Sequence, residues 1–472
     1  MRDGTGRRVA AVLLACALLA GCGTAVRFPG VPPIPAAAPT AAPPVPRGCV
    51  FESCHGLAGD SAYLVDVPAR WNGTLLLYLP GFVGVYPSHA GRRTPLSPPS
   101  RPPIDQALLD HGFAVASATY AWGGWSVRQG VAAAEAAYAL FRDRVGTPQR
   151  VYVWGRSMGG LVGALLAERH PDWISGTATT CGVLGGTTGF FDLALDVAYG
   201  VGTLLSPRLQ ITGYRTHAQA ARANATASQA VHRAAHGDRR SRALVLLIAD
   251  LVHAAPADRV DTPAALQARL DAATQLIGSA LVFSTYARWD LARSYGGEFS
   301  TNTGVDYAGR IDSAERAALE RVEPGVVEQG LRALAAGHRV AADPAARARV
   351  TRQLDPTGAI SRPMVTLHTA EDPVATVEHE SAYAALVAGQ GRSADLLQLV
   401  TVPPPDWVGS QPPPYGVGHC RFSGTDLVGL ITVLDGWATS GQRPAAATVG
   451  EAFGPASGLD LGYAPPPWPG AR

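Results

Sequence analysis

The sequence has no lysine, almost no net charge and no apolar run long enough to span a bilayer. Its 39 basic residues are all arginine and are balanced by 37 acidic residues, which leaves a net charge of +2. Because the arginines are scattered, we expect no nucleic-acid partner. The apolar run Val9–Leu19 is shorter than the ~20 residues of a transmembrane helix, and no other segment reads as membrane-spanning. The composition, 47% apolar and 16% charged, is typical of a compact soluble enzyme.

The first 22 residues have the pattern of an export signal. Arginines precede the apolar run, which ends in Leu-Ala-Gly-Cys at 19–22. This ending resembles a bacterial lipobox, in which the cysteine is diacylated and becomes the new N-terminus. We therefore expect Cys22 to anchor the protein to the outer face of the cell membrane. The alternative is an ordinary cleaved signal with a chance cysteine.

Two segments have compositions that cannot build a core. Residues 23–47 are mostly proline and alanine, which predicts an extended tether between the anchor and the folded part. Residues 454–472 are also rich in proline, and we expect a poorly ordered tail there. The length between them suffices for one large domain or two ordinary ones.

Between these ends, short apolar strands alternate with stretches of helical periodicity. Strands are predicted at 61–67, 74–79, 113–119, 151–154, 174–180, 364–368 and 396–402, and helices at 127–141, 161–170, 377–390 and 425–438. Such alternation is typical of an α/β protein with a mostly parallel sheet covered on both faces. The interval 182–362 has only helical patterns, for example at 262–277, 313–323 and 326–336. We therefore expect a helical cap inserted into a core formed by 48–181 and 363–440.

The pentapeptide Gly-Arg-Ser-Met-Gly at 155–159 has the pattern of a nucleophile elbow. In this motif the serine lies on a tight turn from strand to helix, and its neighbours two positions away must be small. A predicted strand precedes the motif and a predicted helix follows it. Ser157 is therefore the candidate nucleophile, and the alternative is a structural serine in a glycine-bearing turn.

A serine hydroxyl needs a base to remove its proton. In sites built on a nucleophile elbow, the acid follows the serine along the chain and the base follows the acid. His419 lies in a loop after the last predicted strand and is the candidate base; the competing histidines are His368 and His379. Asp372 follows the preceding strand and is the candidate acid. Glu371 is the adjacent alternative and Asp406 a more distant one.

Two main-chain donors are needed to stabilise the oxyanion of a tetrahedral intermediate. One is expected to be the N–H of Met158, directly after the nucleophile. The other should come from the loop after the strand 74–79, where Pro80-Gly81-Phe82 lies. We assign this second role to the N–H of Phe82.

Together these motifs resemble the α/β-hydrolase superfamily over 61–181 and 363–438. The strings GRSMGG (155–160), YAWGGWSVRQG (120–130), EDPV (371–374) and GHCRF (418–422) are similar to secreted bacterial esterases related to feruloyl-esterase and lipase-like hydrolases. The resemblance implies hydrolysis of carboxylic esters without metal or cofactor. One departure is Pro80-Gly81, where such enzymes commonly have His-Gly. Another is Arg156, where relatives can have a cysteine bonded to the one after the histidine.

Four cysteines remain once Cys16 leaves with the signal and Cys22 carries lipid, and export permits disulfides among them. Four cysteines allow three pairings, of which a small loop between Cys49 and Cys54 is favoured by their spacing. That pairing leaves Cys181 and Cys420. The resemblance implies that a bond between these two would brace the histidine loop, and the alternative is two unrelated buried thiols.

The leading functional interpretation is an ester hydrolase that acts through an acyl-enzyme. An acyltransferase or an amidase with the same three residues is an alternative, as is an inactive lipoprotein that binds a ligand in the pocket. The polar, glycine-rich loop at 296–304 either lines a substrate pocket or is a surface connection. Neither the natural ester nor the oligomeric state can be read from the sequence.

Overall fold

The computed structural model of the chain describes residues 54–58, 61–84, 103–120, 123–252, 260–404 and 415–469. The predicted signal, Cys22 and the tether lie outside these ranges, as do Cys49 and Asp406. Among the described helices, none combines the length and the apolar character needed to cross a membrane.

The core is a nine-stranded sheet in the order β1-β2-β4-β3-β5-β6-β7-β8-β9. Strands β3 to β8 run parallel to one another, whereas β1, β2 and β9 pair antiparallel at the two edges. The predicted mostly parallel sheet is confirmed. The strands are β1 Cys54–Ala58, β2 Ser61–Asp66, β3 Thr74–Leu79, β4 Ala114–Ala118, β5 Arg150–Arg156, β6 Gly176–Thr180, β7 Met364–Thr369, β8 Leu396–Thr401 and β9 Leu459–Asp460.

Helices cover both faces of this sheet, as the apolar strands predict. Alternate residues of β3 belong to different cores. Leu75 and Leu77 pack with helices α2 (Val127–Arg144) and α3 (Met158–Arg169), whereas Leu76 and Tyr78 pack on the side of helix α13 (Gly424–Ser440). Two-sided burial is the reason that TLLLYL is apolar throughout. The core helices are α1 Asp105–Asp110, α2 Val127–Arg144, α3 Met158–Arg169, α12 Glu378–Gly389, α13 Gly424–Ser440 and α14 Ala446–Phe453. This strand order, with the serine turn after β5, is the α/β-hydrolase fold.

A helical insertion joins β6 to β7. Its helices are α4 Gly186–Leu204, α5 His217–Ala235, α6 Arg239–Asp250, α7 Pro263–Val282, α8 Arg288–Tyr295, α9 Ser313–Val322, α10 Val326–Ala336 and α11 Pro344–Leu354. The described part of the insertion contains no strand. Helices α4, α6 and α7 share an apolar core of their own, which includes Val197, Leu247 and Ile277. Because α4 begins soon after β6, the insertion starts at the sheet edge that carries Ser157.

The C-terminal segment packs on the protein, and the prediction of a poorly ordered tail was wrong for residues 459–469. Strand β9 extends the sheet by pairing with Val400 and Thr401 of β8. Further along, the Trp468 ring lies 4.9 Å from the ring of His379 in α12. The segment thus contacts both the sheet edge and the region where α4 meets the core. Its proline-rich composition did not reveal these tertiary contacts.

Candidate active site

The turn between β5 and α3 holds Ser157 in a backbone conformation that residues with side chains rarely adopt. Its φ and ψ are 57° and −123°. A Cβ atom at Gly155 would lie 2.0 Å from the carbonyl oxygen of Gly159, and one at Gly159 would lie 2.2 Å from that of Leu79. The strand and the helix can approach this closely only because both positions lack a side chain. The surrounding packing therefore stabilises a turn whose strain is on the order of 1–3 kcal/mol.

His419 lies in the loop after β8 and contacts the serine directly. Its Nε2 atom is 2.9 Å from Ser157 Oγ, which is a hydrogen-bond distance. The backbone at His419 has a φ of 73°. Arg156 Nη2 donates a hydrogen bond of 3.2 Å to the carbonyl oxygen of His419. The residue before the nucleophile thus helps to position the histidine loop, a role that sequence reasoning missed because it depends on where the loop lies in space.

Asp372, in the loop after β7, lies on the other side of the imidazole. His419 Nδ1 is 2.9 Å from both carboxylate oxygens. Oδ1 also accepts the N–H of Val374 at 2.8 Å, which fixes the carboxylate. In the tautomer whose Nδ1 proton points at Asp372, the Nε2 lone pair is available to the serine. Asp372 therefore occupies the position expected of the acid, and the alternative Asp406 lies outside the described residues.

The two competing histidines have other hydrogen-bond partners. His368 is buried in the sheet, with Nδ1 3.1 Å from Glu380 Oε1 and Nε2 2.7 Å from the carbonyl oxygen of Ala375. His379 accepts the N–H of Gly185 on its Nδ1 at 2.9 Å. Burial lowers the pKa of His379 to about 3, so this ring is neutral. His368 therefore supports the loop that carries Asp372, and His379 supports the start of α4.

Burial and mutual attraction shift the pKa values of His419 and Asp372 in opposite directions. Burial disfavours the charged form of each group. The Asp372 carboxylate nevertheless raises the pKa of His419 above its ordinary value. In turn, His419 lowers the pKa of Asp372. The pair therefore stabilises the imidazolium that forms when His419 takes the serine proton.

The cysteine predictions have two outcomes. Cys54 is disulfide-bonded, but Cys49 lies outside the described residues, so the pairing stays a prediction. The predicted bond between Cys181 and Cys420 is not formed, because both are buried free thiols. Cys420 instead donates from Sγ to the carbonyl oxygen of Thr180 at 3.3 Å. The hydrogen bond from Arg156, and not a disulfide, joins the nucleophile strand to the histidine loop.

Four side chains with metal-binding atoms meet at this point. One ligand atom from each lies within 4.8 Å of the others, and the four are Cys181, Asp372, His419 and Cys420. Thiolate, imidazole and carboxylate are all ligands of Zn²⁺. In this arrangement, however, His419 Nδ1 is already hydrogen-bonded to Asp372. The expectation of a site without metal stays a prediction.

The loop after β3 lies against the nucleophile, where an oxyanion site is expected. A Cβ atom at Gly81 would lie 3.2 Å from Ser157 Cβ, so a side chain at this position would crowd the nucleophile. Met158 is the first residue of α3, a position where the N–H has no acceptor within the helix. Phe82 directly follows Gly81. The oxyanion roles of the Met158 and Phe82 N–H groups stay predictions.

An apolar cavity of about 30 Å³ lies beside the acid loop. Pro373 and Val374, next to the candidate acid, form one wall. The insertion forms most of the rest, through Phe190, Leu193, Ala194 and Val197 of α4, Val252, and Leu276 and Ala280 of α7. Phe190 stacks on Trp125 with ring centroids 5.1 Å apart, and Trp125 lies 6.3 Å from Phe82. Aromatic side chains therefore link the candidate oxyanion loop to the cavity.

The chain matches no family model and no curated protein. Among solved structures, it is similar to feruloyl esterase B from Aspergillus oryzae, with 14% identity and a TM-score of 0.40 over 87% of this chain and 86% of that one. An esterase from the same organism has 13% identity and a TM-score of 0.38, with 83% and 80% covered. A carboxyl esterase from Bacillus coagulans has 10% identity and a TM-score of 0.32, with 75% and 90% covered. Identities and TM-scores this low support no conclusion about the present chain. The roles of its site residues rest on the geometry of the site itself.

Replacing the acid should change both the rate and its pH dependence. In Asp372→Asn the imidazole loses the carboxylate that raises its pKa, so the pKa of His419 falls. Because the base must be neutral, the acidic limb of the kcat/KM profile should move to lower pH. The favoured tautomer is also lost, so kcat should fall by on the order of 10³–10⁴.

The matched control for this prediction is Glu371→Gln, which removes the neighbouring carboxylate. It should leave kcat and the acidic limb close to those of the unchanged protein. Profiles measured on both variants with one soluble ester would decide the assignment. A large loss in Glu371→Gln with a mild effect in Asp372→Asn would reverse it.

Proposed function

We propose that this chain is a serine hydrolase that cleaves carboxylic esters through an acyl-enzyme. The observation that carries the proposal is the continuous hydrogen-bonded chain Ser157–His419–Asp372, with 2.9 Å at each step. These residues lie in three different loops at one edge of the sheet. The arrangement has the donor and acceptor order that serine activation requires.

Each residue has one role in the proposed cycle. Ser157 Oγ attacks the ester carbonyl carbon while His419 Nε2 takes the hydroxyl proton. The tetrahedral oxyanion is stabilised by the N–H groups of Phe82 and Met158, each worth roughly 10²–10³ in rate. On collapse, His419 returns the proton to the departing alkoxide and the alcohol leaves. The acyl group remains bonded to Ser157.

Hydrolysis of the acyl-enzyme by water completes the cycle. His419 removes a proton from water, and the resulting hydroxide attacks the acyl carbon. When the second tetrahedral intermediate collapses, His419 protonates Ser157 Oγ and the carboxylic acid leaves. Asp372 stays ionised throughout and stabilises each imidazolium.

The surroundings of the serine favour an apolar acyl group. The cavity beside Val374 is bordered mainly by apolar side chains, most of them from the insertion, together with Thr376 and His379. Phe82, Trp125 and Phe190 add aromatic surface next to the candidate oxyanion loop. An apolar acyl group that packs against this surface gains by burial, at about 25 cal/mol per Å².

Removal of the nucleophile tests the proposal. Hydrolysis of p-nitrophenyl butyrate by Ser157→Ala should fall at least roughly 10³-fold, since only binding and the oxyanion donors remain. Ser294→Ala, which removes an exposed hydroxyl of α8, is the matched control and should retain full turnover. Equal rates in the two variants would contradict the assignment of Ser157.

We further propose that the enzyme acts at the outer surface of the cell membrane, held by diacylated Cys22. The support is the lipobox-like Leu-Ala-Gly-Cys at 19–22 together with the long proline- and alanine-rich segment behind it. Each buried methylene group contributes about 0.8 kcal/mol, so two acyl chains bury enough of them for stable anchoring.

Substitution of this cysteine should release the protein. Expressed in a bacterial host, Cys22→Ser is expected in the soluble fraction or the medium, whereas the unchanged protein sediments with membranes and takes up labelled palmitate. Cys16→Ser, in the apolar run of the signal, is the matched control and should stay anchored. Undiminished labelling of Cys22→Ser would exclude this anchor.

A further inference from the structure

A second, much larger cavity lies in the insertion, on the side of α4 that bears Asp192 and Asp196. Its volume is about 750 Å³, within the range of roughly 300–1,000 Å³ found for small-molecule sites. We call it the α4 cleft. It is bounded by α4, by the loop 301–306 with the turn that follows it, by Arg347 of α11, and by Trp468 and Pro469. Ser157, Asp372 and His419 are not among the residues that line it.

The Trp468 ring forms the aromatic wall of the cleft. It packs on Gly185, just before α4, and on Gly189 in the first turn of that helix. Added Cβ atoms at Gly185 and Gly189 would lie 2.8 Å and 3.0 Å from the Trp468 ring. The indole therefore packs directly on the helix backbone while it remains half-buried at the cleft. Arg310 Nη2 holds the end of the segment through a hydrogen bond of 3.4 Å to the Pro469 carbonyl oxygen. A flat apolar ring surface is thus fixed at one side of the cavity.

The charged groups of the cleft largely neutralise one another. Arg347 forms a two-point contact with Asp192, at 2.8 Å and 3.1 Å. Arg310 lies 2.7 Å from Asp196 in a pair that is almost fully buried. Asp306, exposed on the loop, is the remaining carboxylate, and its Oδ1 accepts the Ala308 N–H at 3.0 Å. A highly charged ligand would have to break an ion pair, whereas a neutral ligand would not.

Polar atoms remain available for such a neutral ligand. Arg310 Nε is buried and has no partner among the described residues, although its side chain is 7% exposed and lines the cleft. A buried donor without an acceptor is costly, so a hydroxyl or a water that reached this nitrogen from the cleft would be stabilised. The glycine-rich loop adds two acceptors, Asp306 Oδ2 and the hydroxyl oxygen of the exposed Thr303, whose proton is donated to the Val340 carbonyl oxygen at 3.1 Å. That loop therefore lines a cavity, although not the one beside the candidate catalytic serine.

We propose that the α4 cleft binds a neutral, polyhydroxylated ligand, namely a sugar of one or two rings. Hydroxyl groups both donate and accept, and so match a lining that mixes carboxylates, guanidinium groups and threonine. The C–H face of a sugar ring packs on the negative face of an indole, which Trp468 provides. The site is separate from the ester chemistry, and its occupation does not depend on the function proposed for Ser157.

Calorimetric titration of the mature protein with glucose, xylose, cellobiose and xylobiose tests this site. Citrate and spermidine serve as anionic and cationic comparators. At least one of the four sugars should bind, and both comparators should fail to bind. Trp468→Ala and Asp306→Ala should each weaken sugar binding roughly tenfold. Asp271→Ala, which removes an exposed carboxylate of α7 outside the cleft, should bind as the unchanged protein does.

The variants also separate this proposal from the previous one. Fluorophosphonate labelling should be the same in the cleft variants as in the unchanged protein, so its loss in all proteins would count against the hydrolase and not against the cleft. Asp306 is exposed, so its variant carries the test if Trp468→Ala does not fold. Failure of all four sugars to bind the folded protein would overturn the proposal. So would equal binding by Asp306→Ala and Asp271→Ala, or binding of a charged comparator instead.

Discussion

The close approach of β5 and α3 at Ser157 is the constraint on which the rest of the site depends. Gly155 and Gly159 leave the strand and the helix separated by little more than backbone atoms, so the chain can reverse within one residue of positive φ. The Ser157 N–H also donates to the Thr180 carbonyl at 2.9 Å, which ties the turn to β6. This geometry projects the hydroxyl beyond the sheet edge and leaves the N–H groups at the start of α3 directed to the same place. A serine within an ordinary helix would have neither a hydroxyl projected beyond the sheet edge nor N–H groups directed to the same place.

Buried polar contacts position the described parts of the surrounding loops. Arg156 reaches from the nucleophile strand to the carbonyl of His419, and His368 bonds to the carbonyl of Ala375 behind the acid loop. Each contact satisfies a buried polar group and also fixes one loop against another. The insertion joins the same assembly, because Gly185 at the start of α4 donates to His379. The candidate catalytic residues, the apolar cavity and the α4 cleft therefore share elements, although their chemistries differ.

Local pattern was enough to predict much of the core. The strand Thr74–Leu79 and the helix Val326–Ala336 lie where the sequence predicts them, because the first is a short apolar run between turn residues and the second has a clear helical period. The order of serine, acid and base along the chain led to Asp372 and His419, which the structure brings together with Ser157. What failed depends on distant contacts. Strand β9 is two residues long and forms only by pairing with β8. The position of Trp468 depends on glycines far away in sequence, and the free thiols of Cys181 and Cys420 depend on contacts between segments that are distant along the chain.

The most direct test of the nucleophilic site is the mass of the protein after reaction with diisopropyl fluorophosphate, followed by peptide mapping. We expect one phosphoryl adduct per chain, located on Ser157, and no adduct in Ser157→Ala. Asp372→Asn should react much more slowly, because the base that activates Ser157 is impaired. An unmodified protein, or an adduct on another residue that persists in Ser157→Ala, would contradict the claim that the strained turn, His419 and Asp372 form one nucleophilic site.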